Sequence, residues 1–207
     1  MAGAALRAAA QPSTRAETED AFLDAAERLL IEVGYSGMST RRLADEAGAN
    51  HGLVHYYFGS MENLFVRVLE RFTERLIARQ REMYARPDLS PLEKWKTAME
   101  YLESDLAAGY PKIWLELQAL GWSHPEIAER VGHVNGQWRA VLTEAFDEMM
   151  DEYGLDRERF PLPGMVSLVM TFNEGIMVER LSGISTGHRE LLEMVERWLE
   201  SLEEAKR

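Results

Sequence analysis

Few side chains in this chain of 207 residues are spaced for chemistry. His51 and His55 stand four apart, the interval at which one helix face presents two metal ligands. No glutamate follows His51 and no third ligand lies at a suitable interval, so no metal site is expected. Gly183-Ile184-Ser185-Thr186-Gly187 fits the pattern of a nucleophile elbow. That turn needs a preceding strand to lift the serine, whereas helical periodicity flanks it here, and the match is read as a chance one in a loop. Cysteine is absent, which removes thiol nucleophiles, thiolate metal sites and disulfides together. Arg67, Arg71, Arg75 and Arg79 recur at i+4, a row that attracts polyanions. Glu70 and Glu74 interleave with it, and it is read as a solvated helix face. Neither type of glycine-rich phosphate cradle occurs; no catalytic residue and no cofactor is assigned.

Composition narrows the classes further. Hydrophobic residues at 46% and charged ones at 28% are those of a globular chain. The 23 Lys+Arg against 35 Asp+Glu leave a net charge of −12, which excludes a generally basic coat but not a local reading surface. Residues 1–61 carry 5 basic and 8 acidic side chains, and residues 87–207 carry 12 and 23. The alanine-rich start, MAGAALRAAAQPS, has no strongly apolar run and is interrupted by Arg7. The most apolar stretch, Pro161 to Val178, contains Asn173 and Glu174. Neither an export signal nor a membrane span is expected, and the chain reads as cytoplasmic.

Period-3.6 patterning dominates and no alternating run argues for a strand, so the fold is expected to be all-α with about nine helices. Thr14 and Glu17 form a capping-box signature for a helix ended by Gly34. Short helices follow from Ser39 or Thr40 to Ala47 and from Asn50 to Phe58, then a long one capped by Ser60 and stopped at Pro87. Five more are expected at roughly 90–108, 111–121, 125–152, 163–182 and 188–205, separated by Gly and Pro breakers. The expected organisation is a flexible arm over 1–13, a three-helix unit over 14–64 and a larger helical unit over 65–207.

Residues 39–58 read as a helix–turn–helix. Leu43, Ala44 and Ala47 face Val54 and Phe58, the small alanines permit a close crossing, and Gly48 stands where the turn needs a positive φ. Gly52, Leu53, His55 and Tyr56 are left on the outer side, a nearly acid-free face suited to a major groove.

The run GYSGMSTRRLADEAGANHGLVHYYFGSMENLF, after AFLDAAERLL, resembles the DNA-binding domain of tetracycline-repressor (TetR) family regulators over about residues 15–65. The resemblance rests on the spacing of Gly34, Leu43-Ala44, Ala47-Gly48, Gly52, Phe58 and Leu64. It implies a homodimer on a near-palindromic double-stranded DNA operator, released when a small molecule enters the larger domain. It also implies that Thr40 and Arg41 meet phosphate, and that His51, Gly52, Leu53, His55 and Tyr57 meet DNA, with Tyr56 beside them. Leu53 either touches a thymine methyl or packs on the neighbouring helix. Two positions depart from the family pattern: His55 replaces a usual tyrosine, and Met61 a usual lysine on phosphate.

In the larger unit, Leu191, Val195, Trp198 and Leu202 repeat at 4-3-4, and the preceding helix is apolar nearly all round. A two-fold dimer through Met165, Val169, Ile176, Leu191, Val195, Trp198 and Leu202 is the expected arrangement, with a monomer lidded by its last helix as the alternative. Trp114, Gln118, Trp122, Trp138, Phe172, Asn173 and Glu174 combine apolar walls with polar heads and are the expected ligand pocket. The reading is a ligand-responsive repressor; the alternatives are an all-helical enzyme or a protein-binding adaptor with the first helices as scaffold.

Overall fold

Thr14 opens the first helix through a reciprocal cap. Its Oγ1 accepts the Glu17 N–H at 3.3 Å, and the Glu17 carboxylate accepts the Thr14 N–H at 2.7 Å. The helix so begun, α1 (Arg15–Val33), is the first of nine α-helices in a computed structural model that describes residues 14–206. It is followed by α2 (Thr40–Ala47), α3 (Gly52–Phe58), α4 (Met61–Tyr84) and α5 (Pro91–Ala107). Then come α6 (Tyr110–Gly121), α7 (Pro125–Glu152), α8 (Leu162–Leu181) and α9 (His188–Lys206). A 3-10 turn spans Tyr35–Gly37, and no strand occurs among the described residues. The arm over 1–13 lies outside the described residues.

Two compact units divide within α4, between Val68 and Leu69. The sequence placed this boundary near 64. The ring of Phe65 packs edge-on to Tyr35 at 5.1 Å, which holds a further turn of α4 in the first unit. Its core is built from Phe22, Ala25, Ala26, Leu29 and Leu30 of α1, Leu43 and Ala44 of α2, Val54 and Phe58 of α3, and Leu64 and Phe65 of α4, all buried. The two alanines of α2 let it lie close on α1.

The second unit packs α6 on α7, α7 on α8, and α5 on both α6 and α9. Its buried residues include Leu69, Phe72 and Leu76 of α4, Ile113 and Leu117 of α6, Ile127, Val134 and Met150 of α7, and Leu199 of α9. The arginine row is in part the solvated face that its interleaved glutamates suggest: Arg67 and Arg75 are exposed, whereas Arg71 and Arg79 are half-buried. Arg79 Nη2 donates to both oxygens of the buried Asp105 at 2.8 and 2.9 Å and lies 4.1 Å over the Tyr101 ring, tying α4 to α5. Burial pushes the Asp105 carboxyl up, and Arg79 pulls it part of the way back. Arg75 covers the Phe72 ring at 4.7 Å, and Glu70 accepts a two-pronged bond from Arg130 of α7. These cations serve the fold because each has an acid or an aromatic face within reach once the helices are assembled. Ser185 is exposed in the loop between α8 and α9, with helices on both sides.

Candidate nucleic-acid interface and cavity

The turn between α2 and α3 is set by local bonds. Ser39 Oγ accepts the Arg42 N–H at 3.2 Å and starts α2. Gly48 ends it at φ 64°, ψ 30°, with its N–H on Ala44 and Asp45 carbonyls and the Ala49 N–H on Ala44 O at 3.0 Å. This paired closure is a Schellman motif, and it needs the left-handed residue that the sequence placed at Gly48. The next helix starts two residues later than expected. Asn50 Oδ1 accepts the Gly52 N–H at 2.9 Å, an Asx turn that keeps Asn50 and His51 out of α3. At the other end the His55 Nδ1–H donates to the Gly59 carbonyl at 3.0 Å. A carbonyl only accepts, so this bond fixes the tautomer and leaves Nε2 as the acceptor of the neutral ring.

Burial of Val54 and Phe58 turns the rest of α3 outward. His51, Gly52 and His55 are exposed, Tyr56 is 67% exposed, and Leu53 and Tyr57 are half-buried. The Tyr57 ring lies 6.2 Å from Phe22, so this residue also holds α3 to α1. Thr40 is half-buried and Arg41 exposed, and Arg41 makes no ion pair among the described residues. Met61, half-buried, begins α4. The sequence reading overlooked Arg15. Its guanidinium stands 5.7 and 5.8 Å from the Tyr56 and Tyr57 rings and brings positive charge to the same face. The signal was present: an arginine in a first helical turn opposes the helix dipole and needs a compensating contact.

Gly52 has no unusual φ, and a Cβ there would meet only Asn50 Oδ1, at 3.4 Å. Gly52→Ala should therefore fold at least as stably, gaining about 0.5–1 kcal/mol of helix propensity. If this face lies against a duplex, the added methyl meets DNA, and operator affinity should drop by tenfold or more, about 1.4 kcal/mol. Thermal melts and gel-shift titrations check both halves; unchanged DNA affinity would remove Gly52 from the interface.

The second unit holds a cavity of about 230 Å³. Trp114, Trp138, Asn173 and Glu174, four of the residues expected around a ligand, line it. Gln118 stands behind Glu174, its Nε2 donating to the carboxylate at 3.0 Å, and Phe172 packs on Trp95 at 5.9 Å. Trp122 does not belong to the pocket. It is 84% exposed at the C-cap of α6, whereas Trp114 is buried within that helix and lines the cavity. Tyr84, Trp95, Asp105, Tyr110 and Met149 also line the cavity and were missed. Their aromatic or acidic character was visible, but helix periodicity alone does not say which buried face meets a void. Burial pushes the Tyr84 phenol up to about 12, so it stays a neutral hydroxyl.

The residues expected at a dimer contact fall in several environments. Met165, Val169, Val195 and Trp198 line this unit's own cavity, Ile176 is buried within the unit, and Leu191 and Leu202 are half-buried. Helix α5 packs on α9, and the Leu92 N–H donates to Glu203 across that contact. Apolar surface is left outside on another face of α8: Leu168, 64% exposed, and Val178, 47% exposed, with Thr171 and Gly175 between them at a 3-4 rhythm. A Cβ on Gly175 would meet nothing within 4 Å, so no packing within the chain demands a glycine there.

No helix of the described residues is long and apolar enough to cross a membrane, and no group of three metal-ligating side chains occurs among them. Residues 22–68 match the family model described as bacterial regulatory proteins, tetR family. The transcriptional repressor AcnR of Corynebacterium glutamicum is 34% identical over 55 residues, 27% of this chain and 29% of that protein. The transcriptional regulator BetI of Burkholderia ambifaria is 28% identical over 119 residues, 55% of this chain and 59% of that protein. The chain thus spans less than two thirds of the length of these curated relatives. Its fold is similar to that of the transcriptional regulator FadR of Bacillus subtilis, solved in complex with stearoyl-CoA. The TM-score is 0.68 at 16% identity, covering 87% of this chain and 96% of that one.

Proposed function

We propose that this chain, whose residues 22–68 match the model of the tetR family of bacterial regulatory proteins, is a DNA-binding transcriptional repressor of that family. In this reading it binds a palindromic operator as a homodimer and leaves it when a small molecule fills the cavity of the second unit. The observation that carries the DNA-binding part is the α2–α3 turn. Gly48 closes α2, Asn50 caps α3, and the buried Val54 and Phe58 turn an acid-free face outward. Such a face can lie in a major groove while the N-terminal turn of α2, with Thr40 and Arg41, meets phosphate.

The dimer reading rests on α8. Leu168, Thr171, Gly175 and Val178 form an exposed stripe at coiled-coil spacing, and the glycine permits close approach of a second backbone. A two-fold copy of the same helix is self-complementary to it. The effector reading is supported by the mixed lining of the cavity and by stearoyl-CoA in the FadR neighbour. One helix bears on both: α4 begins in the first unit at Met61 and carries Gln80 and Tyr84 to the cavity.

The test is selection of DNA from a random pool by the purified protein. Enrichment of inverted repeats with half-sites about one helical turn or slightly more apart is the expected result. Failure to enrich any symmetric sequence at several salt concentrations would overturn the reading. Met61 supplies a further prediction. It occupies the first turn of α4 without charge, and each phosphate neutralised adds roughly −0.9 to the slope of log affinity against log salt. Met61→Lys should tighten operator binding at low salt and steepen that slope by about two units for a dimer, with base preference unchanged. An unchanged slope in a folded variant would place residue 61 away from DNA.

A further inference from the structure

We propose that the cavity of the second unit selects a compact amphipathic organic cation, a protonated amine on an aromatic or aliphatic body; this rests on reading that cavity as the effector site. The charges on its lining point to this when each is traced to its partner. Asp105 of α5 has both oxygens held by Arg79, and Glu152 of α7 is paired with Lys206 at 2.6 Å. Lys94 of α5, the one cation among the lining residues, directs its Nζ to the Tyr84 carbonyl at 2.7 Å. Glu148 of α7 is exposed at the edge of the cavity. Glu174 of α8 remains; it is half-buried and accepts a hydrogen bond from a neutral amide, Gln118 Nε2, at 3.0 Å. A ligand that closes off the rest of this carboxylate from water costs free energy unless it brings a cation to it.

Independent observations agree with the charge. Gln80 lines the cavity, is nine-tenths buried, and its Oε1 has no hydrogen-bond partner. Asn173 Oδ1, next in sequence to Glu174, is likewise buried without a partner. Both atoms are acceptors, so with Glu174 they ask for a ligand rich in N–H donors, against one unpartnered donor, Trp95 Nε1. Trp114 and Trp138 supply aromatic walls, and aromatic faces attract cations. Met170 and Met177 stand about one turn to either side of Glu174 on α8 and add polarisable apolar surface around the carboxylate. The volume of about 230 Å³ lies just below that of typical ligand pockets and sets the word compact.

The test titrates the full-length protein with phenethylamine, phenethyl alcohol, phenylpropionate and phenethyl-trimethylammonium. Binding is followed by tryptophan emission, since Trp114 and Trp138 line the cavity, and operator release is followed separately. The amine should bind about tenfold tighter than the alcohol, the size of one charge-assisted hydrogen bond, and the carboxylate most weakly. Glu174→Gln should remove the amine's advantage over the alcohol, and circular dichroism with a thermal melt shows that the variant keeps its fold. The proposal is overturned if the alcohol equals the amine, if the advantage survives in Glu174→Gln, or if no probe alters the emission. Equal binding of the quaternary compound overturns the protonated-amine assignment. Amine-selective binding that leaves the operator complex intact upholds the selectivity and overturns the effector role instead.

Discussion

Leu168→Arg combined with Val178→Arg should turn the protein into a monomer with its helices intact. Both side chains are exposed on one face of α8, so neither substitution buries a charge within the chain. A two-fold contact through this face would gather the introduced arginines of both copies, and like charges brought together on a desolvated face repel strongly. The operator affinity should fall by about a hundredfold or more, because linking two reading heads contributes on the order of 10²–10⁴ in avidity. Sedimentation gives the oligomeric state, and titration with a palindromic fragment gives the affinity. A double variant that sediments as a dimer would sink the α8 interface. The contrasting substitution is Trp198→Ala. Its side chain lines the cavity and meets Phe160 at 6.4 Å, so the loss should be about 3 kcal/mol of stability with the oligomeric state unchanged.

The second large effect belongs to the first unit. Phe22 is fully buried, with the Phe58 ring edge-on at 6.1 Å and Tyr57 at 6.2 Å. Phe22→Ala opens a void beneath α3 and should cost about 3–5 kcal/mol. For a unit of this size that is a large part of the whole stability, so DNA binding should be lost at physiological temperature. All five tryptophans lie beyond residue 69, which separates the two units spectroscopically. Far-ultraviolet dichroism should reveal a new low-temperature transition in Phe22→Ala, while tryptophan emission keeps its original midpoint. A single transition shifted equally in both signals would mean that the units unfold as one, and would refute the prediction of independent loss.

Much of this architecture was legible before the structure. The Thr14–Glu17 spacing foretold a capping box, and both of its bonds are present. Pro91, Pro111, Pro125 and Pro163 fall in the first turn of α5, α6, α7 and α8, where a missing N–H costs nothing. These signals are local: a cap, a breaker or a left-handed glycine acts within four or five residues, so sequence reading reaches them. The same holds for the outer face of α3, because burying Val54 and Phe58 determines by helical period which residues remain outside.

What the chain determined by itself, then, is the list of helices, their ends, and the helix–turn–helix with its exposed face. Tertiary structure alone decided where each apolar stripe goes. The stripe of Val195 and Trp198 has the spacing of a helix-packing seam, but that spacing does not state whether the partner is a neighbour in the same chain or a second copy. In the folded unit α5 packs on α9, and α8 keeps an apolar face exposed. Trp122 and Trp114 are the same residue type on one helix and its cap, yet one lies outside and one lines the cavity. The arginine row divides in the same way: Arg79 is drawn in by Asp105, twenty-six positions further on. Burial and ion pairing between distant segments depend on which helices meet. Those meetings are settled by the packing of the whole unit, not by the period of any one helix.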